Sequence, residues 1–331
     1  MDTIEIVLSI IGGLVLFLYA VNSLSETIKE WAGENAQKWI ARFAGNDISA
    51  VIVGAIVTTI LDSSSAVIIL TIVLVNGKLL TLRQAIGIVM GANIGTTVSS
   101  QILAMDVGKY SPISLVIGLL LLVGSKNEKV TNTGRLLLFF GMLFFGLYTM
   151  ERAVEPLKDQ QFFVDWIKGL ENPFKGAVTG AIVTLIIQSS SATVGMAITL
   201  AKKGLMTLPA GIAVMLGAEL GTCSDTLLAT IRGSRVALKT GLFHLFFNFI
   251  TIVIGLLIFI PFIALVVYVS GNVGIERQVA NAHMIFNIMG VVLFFFFIPK
   301  IEKLLNRVLP DIAGDSDEFK PLPELIETDN P

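Results

Sequence analysis

The sequence is poor in charged residues and holds a single cysteine. Only 15% of its 331 residues are charged, whereas a soluble globular chain carries about 25%, so an ordinary water-soluble domain is excluded. Cys223 has no second cysteine with which to form an intramolecular disulfide. Runs of Lys or Arg interleaved with aromatic residues are also lacking, which argues against nucleic acid as a partner.

Apolar residues, by contrast, make up 54% of the chain. Apolar runs of about 18 residues or more recur along it, long enough for helices to cross a bilayer and too long for the strands of a membrane barrel. We therefore predict an all-α, multi-pass protein of the cell inner (plasma) membrane, in contact with lipid, with about seven full spans. The spans are predicted at 4–22, 83–105, 110–124, 135–151, 208–231, 239–268 and 280–299.

Two further apolar regions, 49–76 and 175–202, are interrupted at their midpoints by polar clusters. The first cluster reads Asp62-Ser-Ser-Ser65 and the second reads Gln188-Ser-Ser-Ser191. A carboxylate or amide beside three serines inside a membrane is unfavourable unless these groups line a cavity or pair internally. Each region is therefore predicted to be a re-entrant helical hairpin with a discontinuous helix, whose break carries the polar groups.

The two interrupted regions belong to an internal repeat. Gly54-Ala-Ile-Val-Thr58 recurs as Gly180-Ala-Ile-Val-Thr184, at the same offset of 126 residues as the serine motifs. Gly91-Ala-Asn-Ile-Gly-Thr96 recurs as Gly217-Ala-Glu-Leu-Gly-Thr222 at that offset too. Roughly 20 of 45 positions are identical in this stretch, which indicates a tandem duplication.

The orientation of the repeats depends on how the serine regions enter the membrane. Re-entrant hairpins leave an odd number of full spans between equivalent points and make the repeats inverted, whereas straight helices would make them parallel. Inversion with the N-terminus outside places most Lys and Arg on the cytoplasmic side, as the positive-inside rule requires. We predict two inverted-topology repeats that meet in the charged segment 125–134. They are a first repeat over 1–125, a second repeat with a final helix over 126–305, and a cytoplasmic tail or linker over 306–331.

The serine motifs suit an anion. Serine hydroxyls donate hydrogen bonds without carrying charge, and the N-terminus of a half-helix adds free N–H donors. Two helix N-termini together contribute only about +1 elementary charge, and neither motif contains Lys or Arg. A divalent anion would stay under-neutralised there, so sodium or protons are expected to bind with it.

The glycines of the second motif allow a different interpretation. Gly91-x-x-x-Gly95 and Gly217-x-x-x-Gly221 have the spacing by which membrane helices pack closely. Close packing alone remains an alternative for these glycines. It is a weaker alternative for the serine triplets, because three consecutive residues point to almost every side of a helix and cannot all face one neighbour.

Amide and carboxylate residues exchange between the repeats at two positions. Asp62 matches Gln188, and Asn93 matches Glu219. Such an exchange is typical of ion sites, because the charge of a ligand influences which cation binds. Cation binding or protonation is predicted at Asp62, Glu219 and Asn93, and a hydrogen bond between helices is the alternative.

Two histidines occur in similar segments, His244-Leu-Phe-Phe-Asn248 and His283-Met-Ile-Phe-Asn287. His and Asn at i and i+4 share one helix face. The sequence offers no tight cluster of further metal ligands nearby, so hydrogen bonding between scaffold helices is predicted for both. The motif serines also lack His and Asp partners of a catalytic nucleophile, so the chain is not predicted to be an enzyme.

Together, the doubled [Gln/Asp]-Ser-Ser-Ser-Ala and Gly-Ala-x-x-Gly-Thr motifs and the His-x-x-Phe-Asn helices resemble the type II sodium-phosphate cotransporter family, in its bacterial branch, over residues 10–305. The resemblance implies secondary active transport: sodium-coupled uptake of inorganic phosphate by alternating access, with sodium as the co-transported ion, and it is compatible with a homo-oligomer. Two alternatives stay open. One is sodium- or proton-coupled transport of another tetrahedral oxyanion, and the other is a passive ion channel.

The resemblance and the exchanged polar positions together give two predicted sets of ligands. For phosphate they are Ser63, Ser64, Ser65, Ser189, Ser190, Ser191, Asn93 and Thr96. For sodium they are Gln188, Ser189, Thr222, Glu219, Asp62, Asn93 and Thr97. The family usually has Gln at the head of both serine motifs, so Asp62 is a departure that adds a negative charge beside the anion site.

Overall fold

The computed structural model of the chain describes residues 3–105, 107–230 and 234–310, without the side chains of residues 3 and 31–33. Within these ranges the regular structure is entirely helical. The helices are α1 Thr3–Phe43, α2 Asp47–Leu61, α3 Ser64–Asn76, α4 Leu82–Leu103, α5 Ser111–Gly124, α6 Glu128–Val154, α7 Gln161–Gly169, α8 Pro173–Ile187, α9 Ser190–Lys202, α10 Leu208–Gly221, α11 Cys223–Thr230, α12 Arg235–Leu257, α13 Phe259–Ser270, α14 Ile275–Phe295 and α15 Ile298–Val308.

Six helical segments of the described ranges are long and apolar enough to cross a membrane. They are Ile4–Glu30, Leu82–Leu103, Glu128–Asp159, Leu208–Thr230, Arg235–Leu257 and Ile275–Phe295. These segments confirm an all-α, multi-pass membrane protein. The remaining predicted span, 110–124, forms only the 14-residue α5, which at about 21 Å is shorter than the roughly 30 Å hydrocarbon core of a bilayer.

Two sequence-based boundaries differ from the structure. The predicted span 239–268 is divided into α12 and α13 at Ile258. Pro261 explains the division, because its ring excludes the carbonyl of the residue four positions earlier, which is Leu257, the last residue of α12. The charged segment 125–134 is mostly helical, since α6 begins at Glu128. Most of the predicted tail, residues 311–331, lies outside the described residues.

The first serine region folds into a hairpin of α2 and α3 beside α4. Contacts between α2 and α4 advance in the same direction along both helices, so the two helices are parallel. They are Gly87 with Ala50, Gly91 with Val51, and Gly95 with Ala55. The starts of both helices are joined by an ion pair between Asp47 and Arg83, 2.8 Å long. The intervening α3 must therefore run back toward those starts, which leaves the serines at the tip of the hairpin.

The second serine region repeats this arrangement with α8, α9 and α10. The contacts of α8 with α10 also advance in parallel: Gly176 with Ala213, Gly180 with Val214, and Gly221 with Ala181. A hydrogen bond of 3.0 Å from Thr207 to Glu171 joins the segments that precede α10 and α8. Each half thus presents a hairpin tip formed by two helices of only 13 to 15 residues.

Helix α12 fixes the relative direction of the two halves. Ser234, just before α12, bonds to Asn76, near the start of α4, and Asn248 accepts a hydrogen bond from Asn93 further along α4. Helix α12 therefore runs parallel to α4. Against the second half, α12 begins beside α11 and reaches α10 later, with His244 near Thr226 and Gly255 near Leu216. Helices α4 and α10 thus run in opposite directions, and the inverted topology in a bilayer stays a prediction.

Candidate functional site

The backbone reverses at one residue in each hairpin. Asp62 ends α2 with φ 50° and Gln188 ends α8 with φ 59°, both left-handed. This conformation is uncommon outside glycine, and Asp tolerates it better than most residues. A single left-handed residue followed by an extended serine separates the two half-helices, so the polar break of the sequence coincides with the turn.

The first serine of each triplet caps the helix that follows. Ser63 Oγ accepts a hydrogen bond from the N–H of Ala66, and Ser189 Oγ accepts one from the N–H of Ala192, both 3.2 Å long. Serine is a preferred N-cap for this reason. Each capping hydroxyl still holds its own proton and can donate it to an anion.

The two hairpin tips meet at one polar cavity of about 180 Å³. Both serine triplets, both left-handed residues and the motif threonines of α4 and α10 line it, together with one face of α1. The lining residues are Val21, Asn22, Ser25, Glu26, Lys29, Asp62, Ser63, Ser64, Ser65, Thr96, Gln188, Ser189, Ser190, Ser191 and Thr222. The sequence-predicted serines thus come together although they lie 126 residues apart.

The cavity offers hydroxyl, amide and carboxylate oxygens. The N-termini of α3 and α9 lie at the cavity, because their capping and first residues line it, so two helix dipoles favour an anion there. Asp62 and Gln188 supply hard oxygen atoms of the kind that alkali and alkaline-earth cations prefer. The described residues contain no cluster of three His, Cys, Asp or Glu side chains that could hold a tightly bound metal.

Three predicted ligands lie outside the cavity wall. Asn93 donates a hydrogen bond of 2.9 Å to Asn248, and Thr97 donates one of 2.7 Å to the carbonyl of Ile94. Glu219 is buried, and its Oε1 lies 2.5 Å from Nε2 of His283. The structure therefore places these side chains in contacts between or within the helices behind the cavity.

The histidines make the predicted hydrogen bonds between helices. Nδ1 of His283 lies 2.7 Å from Ser100, and Nδ1 of His244 lies 2.8 Å from Thr226. Ser100 and Thr226 are 126 residues apart, so the two contacts are equivalent in the repeat. The predicted hydrogen bonds between helices are therefore confirmed for both histidines.

Two further residues, which the sequence analysis did not predict, form hydrogen bonds with side chains that line the cavity. The Ser99 hydroxyl donates to the Asp62 carboxylate, and Ser65 donates to Asp225 over 3.3 Å. Ser99 and Asp225 occupy equivalent positions of the repeat. The carboxylate of the hydrogen-bonded pair lies at the hairpin tip in the first half and on α11 in the second. The sequence contains a signal for this: between the repeats Asp62 is replaced by Gln188, while Ser99 is replaced by Asp225. A carboxylate lost at one position of the repeat is thus regained at the other.

Sequence reasoning also missed the face of α1. Asn22, Ser25, Glu26 and Lys29 line the cavity. Their spacing of i, i+3, i+4 and i+7 places them on one side of α1, whose preceding residues 6–21 are mostly apolar. That polar stripe inside a membrane span was visible in the sequence.

The sequence model of a family described as Na+/Pi-cotransporter matches residues 16–152 and 161–309 of the chain. YqeW of Bacillus subtilis (strain 168), named as an uncharacterized protein, is 23% identical over 308 residues, which cover 92% of this chain and 99% of YqeW.

Relatives with a named activity share less of their length with the chain. YjbB of Escherichia coli (strain K12), named a putative inorganic phosphate export protein, is 23% identical over 317 residues, which cover 95% of this chain and 58% of YjbB. Sodium-dependent phosphate transport protein 2B of Homo sapiens is 33% identical over 105 residues, 31% of this chain and 15% of that protein. No solved structure matches the chain.

Proposed function

The chain belongs to the Na+/Pi-cotransporter family, and we propose that it moves inorganic phosphate together with sodium through the cavity between its two serine tips. The family is one of transporters and not of enzymes. The observation that carries the proposal is the convergence of all six motif serines on one cavity. Hydroxyl donors and two helix N-termini at one point suit a tetrahedral oxyanion.

Sodium is proposed because of the charges around the cavity. Two carboxylates, Asp62 and Glu26, line it against one ammonium, that of Lys29. These formal charges sum to −1, and about +1 from two helix N-termini brings the total only to about zero. The charge of a divalent anion in the cavity therefore stays uncompensated inside a membrane, and co-bound cations would neutralise it. Gln188, Ser189 and Thr222 on one side and Asp62 with Thr96 on the other are the proposed sodium ligands at the cavity wall.

Alternating access is the proposed mechanism. The hairpin tips meet at the cavity while the motif helices α4 and α10 run in opposite directions, which supports inverted repeats with access from one side of the membrane at a time. We propose uptake across the cell inner membrane as the direction, because cells keep an inward sodium gradient. The printed name of the E. coli relative, a putative phosphate export protein, makes the direction a point for experiment.

Replacement of one serine tests the proposed site. Ser190→Ala removes a buried hydroxyl at the start of α9 and is expected to raise the phosphate KM about tenfold, the effect of losing about 1.4 kcal/mol of binding. Radioactive phosphate uptake into proteoliposomes measures it. Ser125→Ala, between α5 and α6, is the matched control and should leave uptake unchanged.

Two outcomes of the same assay would contradict the proposal. If Ser190→Ala kept the parent KM for phosphate, the serine tips would not bind the substrate. If an equal concentration of sulfate displaced labelled phosphate, the site would serve tetrahedral oxyanions in general.

A further inference from the structure

Lys29 is the only cation among the described residues that line the cavity. Ser25 fixes its position, since the Ser25 hydroxyl donates a hydrogen bond of 3.1 Å to the carbonyl of Leu61, next to the hairpin tip. Lys29 lies one turn further along α1, about 6 Å along the helix axis. The lysine therefore lies close to the serine tip of the first hairpin.

The ammonium of Lys29 forms no ion pair within the described part of the chain. It makes neither an ion pair within 4.0 Å nor a side-chain hydrogen bond there, although Glu26 is only one turn away. Lys202 offers a contrast, because its ammonium lies 2.7 Å from Glu151. Lysines in membrane segments usually pair with a carboxylate or face a functional cavity. Lys202 pairs with a carboxylate, whereas Lys29 faces the cavity.

Among the described residues of the second half, none offers an equivalent cation at the cavity. In the sequence repeat Lys29 matches Lys158, which lies in the short 3-10 segment Glu155–Asp159 and does not line the cavity. Pro156 ends the regular helix there, whereas α1 continues unbroken to Phe43. The unbroken α1 alone keeps its lysine beside a serine tip.

We propose that Lys29 is an anion-binding residue of the cavity, which pairs with a phosphate oxygen on the side where α1 passes the first hairpin. The inference rests on the proposed function. The ammonium is a compact charge with three donors that can follow a mobile anion. It adds the full positive charge that the serine motifs lack, on one side of the cavity only.

Phosphate kinetics of three variants test the proposal in proteoliposomes at saturating sodium. Lys29→Gln is expected to raise the phosphate KM about tenfold, with kcat and the sodium KM close to those of the parent chain. Lys29→Arg should restore most of the affinity. Lys158→Gln, at the repeat-equivalent position away from the cavity, should behave as the parent.

Thiol labelling gives a second measurement that does not depend on transport. The native Cys223 is buried, so Lys29→Cys introduces the one accessible thiol of the described residues. A small anionic thiol reagent should modify it, and inorganic phosphate should slow the modification several-fold, whereas chloride at equal ionic strength should not.

The experiments distinguish failure of the Lys29 proposal from failure of the proposed function. Parent-like phosphate KM in Lys29→Gln, with labelling that phosphate does not slow, would overturn the role of Lys29 and leave the proposed function standing. A parent chain without phosphate transport would contradict the proposed function, and the anion assigned to Lys29 with it.

Discussion

Asp62 is the residue at which the two hairpin tips differ in charge. Its left-handed backbone and its hydrogen bond from Ser99 are both compatible with Asn. Asp62→Asn therefore removes the charge and keeps the geometry. We expect the sodium KM of transport to rise about tenfold or more, because a carboxylate near a cation contributes on the order of 1.4 kcal/mol or more in such a site.

Sodium activation curves of phosphate uptake measure this effect. Asp47→Asn is the control, since that carboxylate pairs with Arg83 at the far end of α2. An unchanged sodium curve in Asp62→Asn would show that the charge of Asp62 does not act on sodium.

At the scale of single residues, the sequence predicted the cavity serines better than the ligands around them. A fixed offset in the repeat identified Ser63–Ser65 and Ser189–Ser191, because the motif and the turn coincide. Asn93 and Glu219 are predicted ligands because amide and carboxylate exchange at this position of the repeat, yet their side chains contact α12 and α14. The direction of a side chain depends on the helix that packs against it, which a single sequence does not state.

At the scale of helices, the motif glycines serve close packing. A methyl group at Gly217 would lie 1.8 Å from the carbonyl oxygen of Ala177, and one at Gly91 would lie 1.9 Å from that of Val51. Such distances require the backbones to move apart. The glycines of the Gly-x-x-x-Gly segments therefore lie at close helix contacts, and these contacts position the serines at the tips.

Gly217→Ala is expected to lower the stability of the folded protein by about 1–3 kcal/mol or more, through overpacking between α8 and α10. Gly12→Ala in α1, where a methyl group would meet nothing within 4 Å, should be neutral or slightly stabilising. Thermal unfolding in detergent compares the two. Equal melting temperatures for both variants would contradict the close approach of α8 and α10.

Prolines indicate the helix boundaries of this chain more accurately than hydropathy does. A continuous apolar run predicted one span over 239–268, but Pro261 divides it. The repeat matches Lys29 of α1 with Lys158, but Pro156 ends α6 where α1 continues. An apolar composition indicates that a segment is buried in lipid or protein, but it does not show where a proline ends a helix.

At the scale of the whole molecule, inverted topology places the bases of the two hairpins on opposite faces of the membrane. Leu79 and Leu205 are equivalent in the repeat and lie in the turns that follow α3 and α9. Leu79→Cys and Leu205→Cys should therefore react with a membrane-impermeant thiol reagent from opposite sides of oriented vesicles, with little background from the buried Cys223. Labelling of both from one side would indicate parallel repeats.

We propose that a sodium gradient drives phosphate through the serine cavity. The most direct measurement loads proteoliposomes with equal phosphate inside and outside and then imposes an inward sodium gradient. Sodium-coupled transport predicts a transient accumulation of phosphate above its external concentration, which collapses when an ionophore dissipates the sodium gradient. Phosphate that equilibrates at the same rate with or without sodium, and never accumulates, would contradict coupling and indicate a passive channel.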